Sequence, residues 1–160
     1  MHKIVATVMT VTILTLGQAA NATNTSEIPL ALQEKITAAE TACASFDNGK
    51  FLLADDALKQ IDLDGDGDLD WVLNEVSFTC SSAASLYGGT GGSMSHFVVK
   101  GVVASVLNRG WVVTSFGPHS VLLVDVHGSQ CGGINPTPCA TSSIWDQQEK
   151  VWRSAKTPWE

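Results

Sequence analysis

The chain has 160 residues, with 16 acidic against nine basic side chains and a net charge of −7. That length suits one domain with a real core. The acidic balance argues against the basic patch that nucleic-acid phosphates or an anionic lipid surface require.

The first segment reads as a secretory signal peptide over residues 1–22. Lys3 supplies a positive start, Ile4 to Leu16 is apolar, and Gly17 to Ala22 holds small residues at cleavage spacing after Ala20 or Ala22. The apolar run is shorter than the roughly 20 residues of a spanning helix, so no membrane span is expected after cleavage. A secreted or periplasmic location follows. Residues 23–160 are then one domain.

After a polar leader (Thr23 to Glu27), Leu30 to Ala44 is predicted to be helical. Leu32, Ile36, Ala39 and Cys43 recur at helical spacing, and Pro29 suits the first turn. Asp47-Asn48-Gly49 should end the helix. Strands are expected at Phe51–Ala54, Leu58–Ile61, Trp71–Thr79, His96–Lys100, Val102–Leu107, Trp111–Phe116, Val121–His127, Thr141–Trp145 and Val151–Arg153. Cys80 to Ser95, rich in Ser and Gly, reads as a long loop. Asn108-Arg109-Gly110 and Asp146–Glu149 read as hairpin turns. The predicted fold class is α+β: an N-terminal helix packed on a mainly antiparallel β-meander or small barrel.

Cys43, Cys80, Cys131 and Cys139 allow three pairings. Export favours oxidation and two disulfides. A local Cys131–Cys139 bridge would brace the Gly- and Pro-rich loop between them, which leaves Cys43 for Cys80.

Residues Asp62 to Asp70 read Asp-Leu-Asp-Gly-Asp-Gly-Asp-Leu-Asp. Five alternating carboxylates repel one another unless a hard divalent cation takes their oxygens, and Ca2+ is the expected ion. In EF-hand order Asp62, Asp64 and Asp66 fill places one, three and five. Gly67 falls at the sharp sixth place, Asp68 offers its carbonyl at seven, and Asp70 serves the ninth. Place twelve holds Leu73 where an EF-hand has Glu, and Trp71 to Phe78 has strand composition. The segment therefore resembles the DxDxDGxxD loops between strands of integrin-type extracellular β repeats more than a helix–loop–helix hand. It reads as a weak structural site that pins the entry to a strand, and Mg2+ suits its many carboxylates less well.

The order of features is also similar to a family of small, uncharacterised secreted bacterial proteins. These features are a Cys-bearing helix, the acidic loop followed by Trp71-Val72, a Gly-rich loop, and His127-Gly128-Ser129-Gln130-Cys131-Gly132 with Cys139 and Trp145 beyond. In relatives the Gly-rich loop carries two further cysteines, and here Gly89 and Ser93 stand in their places. The resemblance implies a fold and a location, a more mobile Gly-rich loop, and no known activity.

No catalytic residue is assigned from the sequence. Asp125 and His127 lie two apart and share a strand face, so a hydrolase around them is one alternative. The plainer role for His127 is to brace the Cys131 loop by hydrogen bonding. No GxSxG elbow accompanies the serines of residues 81–95, and Gly88–Gly92 lacks the Lys of a phosphate loop. A second alternative is a secreted interaction protein or inhibitor that uses the Cys80–Ser95 and Cys131–Cys139 loops against an unknown protein partner. The leading expectation is an exported, non-enzymatic calcium-binding module.

Overall fold

The computed structural model describes residues 27–155. The expected signal segment lies outside the described residues. Helix α1 spans Leu30–Ser45. Eleven strands follow: β1 Phe51–Leu53, β2 Leu58–Ile61, β3 Asp70–Asn74, β4 Phe78–Cys80, β5 Gly88–Gly89, β6 Gly92–Val99, β7 Val102–Asn108, β8 Gly110–Phe116, β9 His119–Asp125, β10 Ala140–Asp146 and β11 Val151–Ala155. No helix among the described residues is long and apolar enough to cross a membrane.

All strand pairs are antiparallel and build three sheets. The first sheet runs β2-β3-β6, with β5 continuing beside β6 and β7 on the far side of β6. The second is the meander β8-β9-β10-β11, and β1 pairs with β4 separately. Side chains alternate between the faces of a strand, and β3 and β6 show it directly. Val72, Phe97 and Val99 pack with Leu122, Val124 and Trp145 of the second sheet and with Val126 just after β9. Their neighbours Leu73 and Val98 face the other way, onto Leu32 and Ala39 of α1. A strand that contributes to cores on both sides needs apolar residues at consecutive positions, which is why Phe97-Val98-Val99 breaks the alternation of a surface strand.

The α+β reading holds, as do both disulfides: Cys43–Cys80 ties α1 to β4, and Cys131–Cys139 closes the late loop. They suit an oxidising compartment. The helix ends where expected, because Asp47 and Asn48 adopt left-handed φ values of 47° and 52°.

Three expectations need correction. Trp71–Thr79 is not one strand. A single 3-10 turn at Glu75–Ser77 separates β3 from β4, and β4 leaves the sheet to pair with β1. The Cys80–Ser95 loop is shorter than expected, because Gly88–Gly89 and Gly92–Ser93 pair as a hairpin and β6 begins at Gly92. Across that hairpin Ser93 faces Gly88, and Gly89 faces Gly92. Finally, Asn108-Arg109-Gly110 is no hairpin. β7 pairs with β6 and β8 with β9, so these residues carry the chain from one sheet to the other. Arg109 holds the crossover by donating to Asp125 (2.6 Å) and to the carbonyls of Val126 and Asn135.

Phe97 is fully buried at the meeting of the two sheets, edge-on to Trp111 with ring centroids 5.4 Å apart. Phe97→Ala should therefore cost about 3–5 kcal/mol, read as a lower urea midpoint with an unchanged slope.

Candidate metal centre

The acidic loop joins β2 to β3, and its own side chains shape it. Asp62 accepts from the backbone N–H groups of Gly65 (2.6 Å) and Gly67 (3.0 Å), one on each carboxylate oxygen. Asp64 accepts from Asp66 N (3.1 Å), and Asp66 from Asp68 N (2.9 Å). These local bonds are the usual Asp preference in turns. Gly65 and Gly67 sit at φ 82° and 91°, a region that disfavours any side chain. The loop is followed by strand β3, as its composition predicts, and not by a helix.

Of the five carboxylates, the fold gathers three. Ligand oxygens of Asp62, Asp64 and Asp70 lie within 4.8 Å of one another. Asp70 is buried (7% exposed), and its Oδ2 accepts from the Leu63 N–H at 2.9 Å. The Asp64 Oδ2 is also shut away from solvent and has no hydrogen-bond partner. A buried carboxylate oxygen without a donor is costly. Hard oxygen donors and no nitrogen or sulfur suit a hard cation.

Asp66 and Asp68 turn elsewhere. Lys100, at the tip of the β6–β7 hairpin, forms an ion pair with Asp66 and lies 3.8 Å from Asp68. The hydrogen bond from Lys100 holds the Asp66 carboxyl below the usual carboxylate range, and Asp66 raises Lys100 in return. Lys100 was not singled out from the sequence. It lies 34 residues beyond Asp66, and only the β3–β6 pairing brings its hairpin to the loop. Glu75, beyond the far end of β3 from the loop, bonds the buried His96 ring (2.8 Å).

Asp70 behaves in the opposite way from Asp66. Burial pushes its pKa up to about 6, with the charges of Asp64 and Asp66 adding to the rise and the Leu63 N–H opposing it. A cation would have to hold this group ionised, so protons compete for it below about pH 6.

The other candidate residues do not form a site of this kind. Asp125 is exposed and held by Arg109. The His127 Nδ1 bonds the Ser129 hydroxyl (2.7 Å) and accepts from the Ser129 N–H, which caps the 3-10 turn Gly128–Cys131. His127 thus braces the Cys131 loop. The Cys80–Ser95 and Cys131–Cys139 loops do meet, through a bond from Asn135 Nδ2 to the Thr90 carbonyl (3.1 Å). No family model, curated protein or solved structure matches this chain.

A raised carboxylate pKa means the fold binds a proton that the unfolded chain has released. Asp70 therefore contributes stability that is full below about pH 4 and lost as pH rises toward 6. In chelator, stability should fall over that window, and Asp70→Asn should flatten the fall while keeping an oxygen for Leu63 N–H. Urea midpoints at pH 4.5 and 7 read both.

Proposed function

We propose that this protein is an exported, non-enzymatic calcium-binding module in which one Ca2+ pins the loop between β2 and β3. The observation that carries this reading is the grouping of Asp62, Asp64 and the buried Asp70, with one Asp64 oxygen buried and unpartnered. The two disulfides support an oxidising location outside the cytoplasm. Asp62, Asp64 and Asp70 would hold the ion, and Asp66 and Asp68 would set the charge around it while engaged with Lys100.

The role is structural. The loop carries Leu63, which is fully buried in the core between the sheets, and Asp70 is tied to its backbone. An ion that fixes the three carboxylates would therefore fix Leu63 and the start of β3. Affinity should be weak, about 10⁻⁴–10⁻³ M, as in extracellular modules.

Thermal unfolding at pH 7 tests the reading. At a Ca2+ concentration near 100 times Kd the fold should gain about 2.7 kcal/mol, a rise in Tm of roughly 5–10 °C for a domain of this size. Asp64→Asn should remove most of the rise and leave the Tm in chelator unchanged or higher. Equal Tm values with Ca2+ and with chelator would refute the proposal.

A further inference from the structure

A cleft of about 890 Å3 opens between the edges β2 and β8, where the two sheets part. It contains no residue of the acidic loop, although Ile61 just before that loop lines one end, and its other lining residues include Lys59, Asn74, Ser95, Asn108, Arg109 and Trp111. The inner face of the first sheet changes character along β6. Val99 and Phe97 face the second sheet as core, and Ser95 and Ser93 follow on the same face. Register places Asn74 beside Ser95 and Asn108 beside Ser93. These four uncharged polar side chains are 4–6% exposed, and all four line the cleft. A sandwich core would normally continue with apolar residues here, because burying polar groups costs free energy unless each is satisfied.

Their internal bonds leave capacity over. The Trp111 indole can only donate, so the Asn74 atom it meets at 2.7 Å is Oδ1, which also accepts from Ser95 at 3.0 Å. Asn74 Nδ2 is then a donor left for the cleft. Asn108 gives Nδ2 to the Val106 carbonyl, which leaves its Oδ1 as an acceptor. Trp111 is half-buried, and the flexible Lys59 ammonium lies over its ring, 6.0 Å from the centroid. Two of the other charges are engaged, Arg109 by Asp125 and two carbonyls and Glu75 by His96, and Asp56 also lines the cleft. Size, one aromatic wall and a few convergent uncharged polar groups are the attributes of a small-molecule site.

We infer that this cleft binds a neutral saccharide. A pyranose ring has a flat C–H face that can lie on Trp111 once Lys59 swings aside. Its edge carries paired hydroxyls that both donate and accept, which matches Asn74 Nδ2 as a donor and Asn108 Oδ1 and the serine oxygens as acceptors, the serine protons being given to the Tyr87 carbonyl and to Asn74. The Arg109 guanidinium is already committed, and Lys59, which no carboxylate among the described residues holds, is the one cation of the lining that an anionic ligand could use, so such a ligand would lose affinity in Lys59→Ala where a neutral saccharide would not.

The oxidised chain, labelled with ¹⁵N, is titrated with maltotriose, cellotriose and triacetylchitotriose to about 20 mM, well above the roughly millimolar Kd expected of one stacked ring and a few hydrogen bonds. The expected result is saturable shifts of the Trp111 indole N–H and the Asn74 and Asn108 side-chain amides with at least one of the three, the same in Ca2+ and in chelator. Asn108→Ala should weaken that binding about fivefold or more, and Lys59→Ala should leave it equal or tighter. Absence of shifts with all three overturns the inference. So do shifts confined to other residues, or a response to an uncharged extended hexapeptide with none to the saccharides.

Discussion

The hydrogen bond from the Leu63 backbone to the Asp70 carboxylate joins a charged loop to an apolar core. Leu63 is one of the fully buried residues between the sheets, yet its neighbours in sequence, Asp62 and Asp64, are carboxylates. The loop can seat Leu63 only if it turns sharply, and Asp70 is the group that receives its N–H once it has turned. Burial makes Asp70 resist ionisation, and crowding by Asp64 adds to that. The loop is thus balanced between good packing of one residue and poor electrostatics of three. A cation at the three carboxylates would relieve the second without disturbing the first. Lys100 already does so in part for Asp66 and Asp68, at the solvent side of the loop.

The rest of the fold follows from β6 having two apolar faces. Its Val98 side takes the helix and its Phe97 and Val99 side takes the second sheet, so α1 and the β8–β11 meander must lie on opposite sides of one sheet. The disulfides anchor the outer layers. Cys43–Cys80 fixes the end of α1 to the short β1–β4 pair, and Cys131–Cys139 fixes the loop leading into β10. At one end of the sandwich the inner face stays apolar and the acidic loop inserts Leu63. At the other end it turns polar at Ser95 and opens into the cleft beside Trp111. The two candidate binding regions therefore sit on the same pair of sheets without sharing a ligand residue.

Much of this was legible in the sequence, because much of it is local. The 3.6-residue spacing of Leu32, Ile36, Ala39 and Cys43 marks the buried face of α1, and the nine-residue acidic run marks the loop and the strand after it. What was not legible depends on contacts far apart in the chain. Nothing in Asp62–Asp70 alone separates Asp66 and Asp68 from the other three, since their side chains turn to Lys100 on a distant hairpin. Asn108-Arg109-Gly110 has the composition of a hairpin turn, but Arg109 finds its partners at Asp125, Val126 and Asn135, and the chain crosses between sheets. Trp71–Thr79 has strand composition throughout, yet it breaks at Glu75, whose carboxylate bonds the buried His96. The glycines at 88–92 suggested a loop, although in pairs they also permit a tight hairpin. The polar strip Asn74, Ser93, Ser95 and Asn108 spans three strands, so only the register assembles it.

The acidic loop and the core are one mechanical unit, joined at Leu63 and Asp70. Amide hydrogen exchange of Leu63 at pH 7, followed by NMR in Ca2+ and in chelator, tests it most directly. Ca2+ should slow exchange at Leu63 together with the amides of Val72 and Phe97 in the core. Identical exchange at Leu63 in the two conditions, or slowing confined to the loop residues Gly65 to Asp68, would contradict it.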